Sequence, residues 1–597
     1  MKTTFNLMML TVLLLLVTTS CNNEDLFVDT NSEEIEVIIT EEKEEGIELN
    51  ENEFTFIPER WGIVEGKVSD DVARSNRDIL EAMMIKAKSN GITTFKIDKM
   101  DAYFKVDGPL NEGTPEIHAI NIPSDFKLKM TNDTHLRMQP NGHFRPTLLG
   151  ISNENNITIQ GGVLHGDREE HNYNSGYVDS DGATGGSHEW GHTMRIKGGK
   201  NIVIDGVVFQ DATGDGLNIS SIYHYFDSRH IRAENITIKN SKFLRARRIN
   251  LSLTNCENIV IQDNEFIDGG VDMAKSKGTS PSCQFNIEPV RERDANNNLI
   301  EYERVNNIFV SGNKGIISGN YSGGGGFFVS HGNGPIIFEK NDLDSGIGFA
   351  TADGVIIRNN IARGSISAGK TDNYNRVDFV FGNEVYENTV YNGVYVGGNG
   401  VLLRDNYIEG ETGIYLGAGG KNSSVGVSNS VIKNNTIKAS DRGIISINTT
   451  TNTIIEGNKL EMLSGSSFAL NLNNAWTGSG KSNYVVNNNE ITGTRGNDSG
   501  AHASIIGANS IEVTNNKLGC VIMNQSQNIL FKGNTIDAEI NKNGLLFNYD
   551  CQNSTFEENK IIIYTSKTPL NIKAIEVKNG VNLSSSVLIN KNDTIER

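Results

Sequence analysis

The sequence predicts an all-β chain: a single-stranded right-handed parallel β-helix, that is, a solenoid, opened by a short N-terminal capping helix. Three observations carry this. One phrase recurs from Asn155 onward: Asn, apolar, any residue, apolar, polar, then Asn, Asp or Gly and another apolar stretch. Asn201-Ile202-Val203-Ile204-Asp205-Gly206 and Asn258-Ile259-Val260-Ile261-Gln262-Asp263 are instances. Its interval of roughly 20 to 45 residues is that of solenoid repeats, and strands this short bury an apolar face only by stacking on neighbouring units. Finally, 62 Gly against 10 Pro suits many tight turns and argues against a collagen-like or Pro-rich linker chain. A propeller would need longer antiparallel strands and regular hairpin signals.

The elements follow in order. Residues 1–21 read as a lipoprotein signal peptide: one Lys, an apolar run from Leu7 to Val17 too short to span a bilayer as a mature helix, then small residues before Cys21. Thr18-Thr19-Ser20-Cys21 resembles a bacterial lipobox, which implies lipidation of Cys21 and an exported chain on the outer membrane, at the cell surface or its periplasmic face. Residues 22–53 hold thirteen acids and one Lys; such a run repels itself and buries little, so it is expected to be a disordered tether. The β-helix domain is expected over 54–597. Most of the formal net charge of -19 thus belongs to the tether. The acidic balance disfavours nucleic acid as a partner, since neutralising phosphates needs excess Lys and Arg. Five Cys in 597 residues are too few for a disulfide framework, and Cys256 and Cys283 are expected to pack as small apolar residues.

Within the body, a helix is expected from about Val72 to Ser89, with N-cap candidates in Ser69-Asp70-Asp71 and Gly91 as a C-cap. Alternation in Thr94–Ile97 and Phe126–Met130 predicts strands. In the later coils, Asn at the corners is expected to form side-chain ladders.

The excess length falls between residues 156 and 304, which mark the candidate functional coils. One long insertion carries His165-Gly166-Asp167-Arg168-Glu169-Glu170-His171 and then His188-Glu189-Trp190-Gly191-His192. Rare, chemically capable residues gathered on one long loop exceed what a solvated turn requires. Register follows from apolar pairs: Met194/Ile196, Leu217/Ile219, Leu251/Leu253 and Phe285/Ile287 should face inward on successive rungs about 4.8 Å apart. The outward stack is then Arg195, Asn218, Ser252 and Asn286, beside Lys197, Ser220, Thr254 and Glu288.

Such a groove suits a polysaccharide. Trp190 offers a face for a sugar ring, and Arg247 with Arg248 a bidentate grip on an anionic substituent. His165, Asp167, Arg168, His188, Arg195 and Lys197 complete the substrate-binding candidates. Glycosidic hydrolysis needs an acid and a second carboxylate, about 5 Å apart for retention and up to about 9 Å for inversion. Asp215, Asp211, Glu189 and Glu288 are the carboxylate candidates, with His192 as a further proton-transfer group. Elimination from a uronate by a polysaccharide lyase, or its inversion by a uronate epimerase, would instead draw on Arg248, Lys197 and His192, and a noncatalytic glycan receptor would need no acid pair. No cofactor is required. Loop aspartates such as Asp179 and Asp181 offer oxygen ligands for Ca2+, whereas a zinc site from His188 and His192 lacks the rigid helix such spacing normally uses. The chain is expected to be a monomer.

From about Asp70 to the C-terminus the chain resembles the pectin lyase-like superfamily, including the polygalacturonase-type glycoside hydrolases. His-Gly-Asp-Arg (165–168), His-Glu-Trp-Gly-His (188–192), Thr-Gly-Asp-Gly (213–216), Arg-Arg (247–248) and Ile-Glu-Pro (287–289) follow one another as in a group of bacterial right-handed β-helix proteins related to polygalacturonases. The resemblance implies a β-helix and a carbohydrate substrate. It does not transfer the polygalacturonase catalytic set. The Asp-Asp pair of those enzymes is missing here, and Arg195-Ile196-Lys197 precedes Asp215 instead of following it.

Overall fold

A computed structural model describes residues 52–106, 120–176, 187–296, 298–318, 325–369, 382–417, 427–446, 450–463, 468–473, 482–493, 503–540, 542–564 and 572–597. The expected signal peptide with Cys21, the expected tether up to residue 51, and Asp179 and Asp181 lie outside the described residues. The chain divides into two units, Met1–Glu53 and Phe54–Arg597; only the second is described below.

That unit is a right-handed parallel β-helix. Its helix runs Asp70–Ser89, two residues earlier than expected, because Ser69 is the N-cap and accepts from the Val72 N–H; Asn90 is the C-cap, ahead of Gly91. The helix buries Ala73, Leu80, Met83, Met84 and Ala87 along one stripe. Asn76, fully buried with them, donates to the Val64 and Tyr103 carbonyls. The helix thereby covers an apolar end of the solenoid, which would otherwise present open edges.

Each coil contributes to three parallel sheets. In the first, Thr147–Ser152, His192–Lys197, Leu217–Ser220, Ile249–Leu253 and Cys283–Ile287 stack in sequence. The pairs Met194↔Leu217, Leu251↔Phe285 and Ile196↔Ile219 place the anticipated residues inward. The second sheet stacks Asn155–Gln160, Lys200–Asp205, Ala233–Lys239 and Cys256–Gln262; the third stacks Val163–His165, Val208–Gln210, Lys242–Leu244 and Glu265–Ile267. Side chains at one height meet their equivalents on the next rung. Phe209, Phe243 and Phe266 stack at 4.7 and 4.9 Å with rings within 6° of parallel. Each is fully buried, worth roughly 1.5–3 kcal/mol relative to exposure.

Polar corners obey the same register. From Asn264 through Asn313, Asn341, Asn360 and on to Asn592, buried asparagines hand a side-chain N–H to the Oδ1 of the next rung. An outer ladder runs through Asn156, Asn201, Asn235 and Asn258, all in the left-handed region with φ of 56–58°, a conformation Asn tolerates better than most residues. Further on, Gly325–Glu339 and Ile347–Arg358 run through a corner as single long strands, a departure from the short-strand pattern. Cys256, Cys283, Cys520 and Cys551 are buried and outside any disulfide, and burial pushes the Cys256 and Cys283 thiols far up.

Asn435 tests the ladder. Its Oδ1 accepts from the Asn406 backbone and side chain, and its Nδ2 donates to Asn458 and to the Leu403 carbonyl. Asn435→Ala strands several buried polar groups at about 1–3 kcal/mol each. Asn201→Ala in the exposed ladder forfeits about 1–2 kcal/mol of left-handed backbone preference. Thermal unfolding should show the larger drop in Tm for Asn435→Ala; equal drops would remove the buried ladder as a stabilising feature.

Candidate functional site

Loops emerge at both ends of the first sheet. The segments leading into its strands are the insertion 166–191, Asp211–Gly216, Arg245–Arg248 and Asp268–Ser282; those leaving it are 221–232 and 288–304. The outward face between them is polar but covered: Asn218, Ser252 and Asn286 are at most 2 % exposed. Over this floor lies a shell of charged groups centred on Arg248.

The Arg248 guanidinium spans two carboxylates. Nη1 donates to Asp215 Oδ2 at 3.1 Å, and Nη2 donates to Glu288 Oε2 at 3.2 Å. Ser252 Oγ donates to the same Asp215 oxygen at 2.6 Å, and Asn218 Nδ2 donates to Ser252. Asn286 Nδ2 donates to Glu288 Oε2 at 3.0 Å. Trp190, one of the exposed large apolar side chains, places its ring 5.7 Å from the Arg248 guanidinium carbon. Burial raises the Asp215 carboxyl, with Arg248 and Ser252 opposing and the Glu189 charge adding to the rise. Burial likewise raises Glu288, against Arg248, with Asp215 and Glu189 reinforcing it.

The two carboxylates differ in access. Asp215 has no exposed surface, whereas 40 % of the Glu288 side chain is exposed. Asp215 thus lies beneath Arg248 with no exposed surface, which departs from the open groove position expected of it. The glycines around it are dictated by close approach: a Cβ on Gly214 would lie 2.0 Å from the Glu189 carbonyl oxygen, and one on Gly216 2.5 Å from that of Asn250. Gly-Asp-Gly is therefore a place where neighbouring coils touch.

A second network fastens the insertion to this coil. Asp167 accepts from the Asn141 backbone and side chain, from Thr213 Oγ1 at 2.7 Å and from His171 Nδ1 at 2.8 Å. Four donors converge on this one carboxylate. That fixes the proton of His171 on Nδ1, so its Nε2 accepts from His188 Nδ1 at 2.8 Å when the rings are neutral. Burial, then the neighbouring His171, lowers His188. Since Thr213 stands two residues before Asp215 and Glu189 follows His188, the network sets where Glu189 and Trp190 lie.

Several other expected ligand contacts are engaged within the protein itself. Arg168 is fully buried and donates to Ser276 Oγ and to the Arg245 and Val271 carbonyls; with its donors committed, it is a strut. Arg247 donates to the Ser187 and Lys277 carbonyls and lies 4.5 Å over the Tyr173 ring, again joining loops. Asp167 and His188 are buried in the network above, and Lys197 is 1 % exposed. His192 is fully buried; its Nδ1 accepts from the Asp215 N–H at 3.3 Å, and burial, then Arg195 and Arg248, hold it well below the usual imidazole range. Arg195 is half-buried on the outward face.

Asp211 and His165 belong to a different corner, by the third sheet. Asp211 is paired bidentately with Arg245 at 2.7 and 2.8 Å. His165 accepts at Nδ1 from Gln210 and Arg137, which leaves its proton on Nε2 facing His135; burial and Arg137 push it down to about 3. Together with Tyr103 and Met273 they line a cavity of about 460 Å³. The single groove anticipated over four coils is thus two separate places. Among the described residues no group of three or more His, Cys, Asp or Glu is arranged to hold a metal ion. Sequence reasoning placed Ser252 in the outward stack but gave no role to it, to His171 or to Thr213; the Asp167 to His171 spacing was a usable signal, but the partners from distant coils were not.

No established family profile matches the chain. Two curated proteins of Bacillus subtilis (strain 168) are similar. The uncharacterized protein YclG is 30 % identical over 244 residues, 41 % of this chain and 38 % of its own length. The SPbeta prophage-derived uncharacterized protein YorA is 24 % identical over 367 residues, 59 % of this chain and 58 % of its own length. The matches thus span well under two thirds of either relative. Among solved structures, the pre-mature bacteriophage phi29 gene product 12 aligns with 94 % of this chain and 75 % of its own at 12 % identity and a TM-score of 0.44. A tailspike mutant of E. coli bacteriophage HK620, in complex with a pentasaccharide, aligns over 86 % and 76 % at 13 % identity and a TM-score of 0.36.

Two outcomes test the site. Arg248→Met strands the buried Asp215 carboxylate and should cost about 3–5 kcal/mol; adding Asp215→Asn should restore part of it, and strict additivity in the double-mutant cycle would deny the coupling. For Glu288, a raised folded-state pKa means the native state binds its proton more tightly than the unfolded chain. Stability therefore falls as pH rises from the ordinary carboxylate value of 4.5 through the folded pKa. Tm followed against pH should flatten across that window in Glu288→Gln.

Proposed function

We propose that this chain is a polysaccharide-degrading enzyme, a glycoside hydrolase acting on an anionic glycan, uronate-containing or sulfated, in the groove above the first sheet. The observation that carries this is Arg248, shared by a buried carboxylate and a partly exposed one beside a solvent-facing Trp190. Trp190 stacks on a sugar face. An anionic substituent of the substrate competes with Glu288 for Arg248 Nη2, while Asp215 keeps the guanidinium in place. Glu288, already raised by burial and by the Asp215 and Glu189 charges, loses its counter-charge and takes up a proton. It then has what a general acid needs: a proton to give the leaving glycosidic oxygen near neutral pH. Glu189 is the second carboxylate, activating water or receiving the anomeric carbon.

Hydrolysis is favoured over elimination because two of the bases that elimination would use, His192 and Lys197, are buried at 0 % and 1 % exposure. A bacterial envelope location through an acylated Cys21, with the acidic residues 22–53 as a spacer, suits an enzyme that works on long external chains. The readings of a monomer and of no metal requirement belong to the same proposal.

The test is a screen on polygalacturonate, alginate and chondroitin sulfate, read for new reducing ends and for the ultraviolet absorbance of unsaturated uronate. Reducing ends without that absorbance are expected, with Glu288→Gln slower by about 10²–10⁴ at unchanged fold. Unsaturated products would replace hydrolysis by elimination, and binding without cleavage would make the chain a receptor.

A further inference from the structure

The segments that leave the first sheet carry an unusual concentration of exposed rings. Phe226 is 61 % exposed and Tyr225 38 %, with Val290 at 41 % beside the hairpin Arg291–Arg293/Leu299–Glu301. The rings are grouped. Phe226 lies 5.9 Å from Tyr225 and 6.2 Å from Tyr302; His224 lies 5.2 Å from Tyr302.

The group is also held in place before any ligand arrives. The Tyr225 N–H donates to the Tyr302 carbonyl at 2.8 Å, and Ile222 and Ile231 exchange both backbone bonds at 2.9 and 3.0 Å, closing the loop at its base. Arg304 covers one face of Tyr225 at 4.0 Å, and Glu303 accepts from the Val290 N–H. None of this buries Phe226. A solenoid coil needs no such loop for its core, since the inward positions of the adjoining strand, Leu217 and Ile219, are already filled and buried.

We propose that this aromatic cluster is a second sugar-binding subsite, holding the same glycan chain at a distance from the reacting bond; the inference rests on the glycan reading above. Three features favour a sugar. The rings alternate with polar groups (the His224 imidazole, the Tyr302 hydroxyl, which donates to Glu292, and the guanidinium of Arg229, which pairs with Asp227 over Tyr223), which matches a pyranose with an apolar face and a hydroxyl rim. The arrangement is rigid, so little ordering entropy is lost on binding. And it continues the groove. Trp190 and Arg248 stand where chain enters the first-sheet strands, the cluster where chain leaves them. Arg195, on the outward face between, acts electrostatically both on His192 beside Arg248 and on Glu303 beside the cluster. Strands of four to six residues at about 3.3 Å per residue separate the two aromatic positions by on the order of 15–20 Å. That is the reach of a short oligosaccharide, so the enzyme should prefer long chains to single linkages.

The test compares the full-length protein with a Tyr225→Ala/Phe226→Ala variant, using affinity electrophoresis in polygalacturonate, alginate and chondroitin sulfate gels and calorimetry with trimeric and longer fragments of whichever is retained. Tm serves as the fold control, and Phe226→Trp as a variant that keeps a stacking surface. Expected is a loss of about 5- to 50-fold in affinity for long fragments, little change for the trimer, and retention of affinity in Phe226→Trp. Equal affinity of wild type and double variant for long fragments, in a protein whose binding Arg248→Met abolishes, would overturn the subsite and leave the glycan reading standing. Retention of none of the three polysaccharides by wild type would overturn both.

Discussion

Parallel stacking at one fixed rung spacing is the constraint on which everything else in this molecule depends. A strand pairs with its equivalent one coil earlier and one coil later, so any residue type placed at a given position becomes a column. Phenylalanines become a stack, asparagines a ladder, and charged residues at the coil corners a polar network. The constraint is unforgiving to polar groups in the interior, because a buried amide without its neighbour above or below has nowhere else to bond. It is permissive at the corners, where a coil can be lengthened by tens of residues without disturbing the register of the strands on either side.

The charged centre uses both properties. Asp215 is admitted to a buried position because Arg248 comes from the next coil and Ser252 from the strand that follows it. Glu288 comes from one coil further on. A guanidinium between two carboxylates has one charge to share, and the buried partner, out of water, keeps the stronger claim on it. The exposed partner is left in an environment that burial has made unfavourable to its charge, yet accessible to whatever enters from solvent. That asymmetry, more than the identity of the residues, underlies the proton-transfer role proposed for Glu288 and the supporting one proposed for Asp215.

Much of this was legible in the sequence, and the part that was not has a physical reason. The register was readable from Met194/Ile196 and their successors, whose inward pairs the strand pairing reproduces, and the capping helix was readable from the cap candidate Ser69. The candidate site was readable as a neighbourhood: Arg248, Glu288 and Trp190 do converge. What periodicity does not encode is the path of an aperiodic loop. Lys197 and Arg247 were expected to meet a ligand because they lie on or beside outward positions, and Arg168 because it sits on the long insertion. Outward means solvent-facing only where no loop returns to cover the sheet, and here loops do so at both ends. Asp211 was assigned to the same groove as Asp215, four residues away. A turn intervenes, and its carboxylate pairs with Arg245 at another corner.

The most direct measurement of the central claim is proton linkage on binding. If an anionic glycan takes Arg248 from Glu288, calorimetric titrations in buffers of different ionisation enthalpy should show net proton uptake by the wild-type protein, and none by Glu288→Gln. Binding of the same glycan with no proton exchange in the wild type, at a pH where Glu288 starts ionised, would contradict the account: Arg248 would not be the group the ligand engages, and Glu288 would not be the acid.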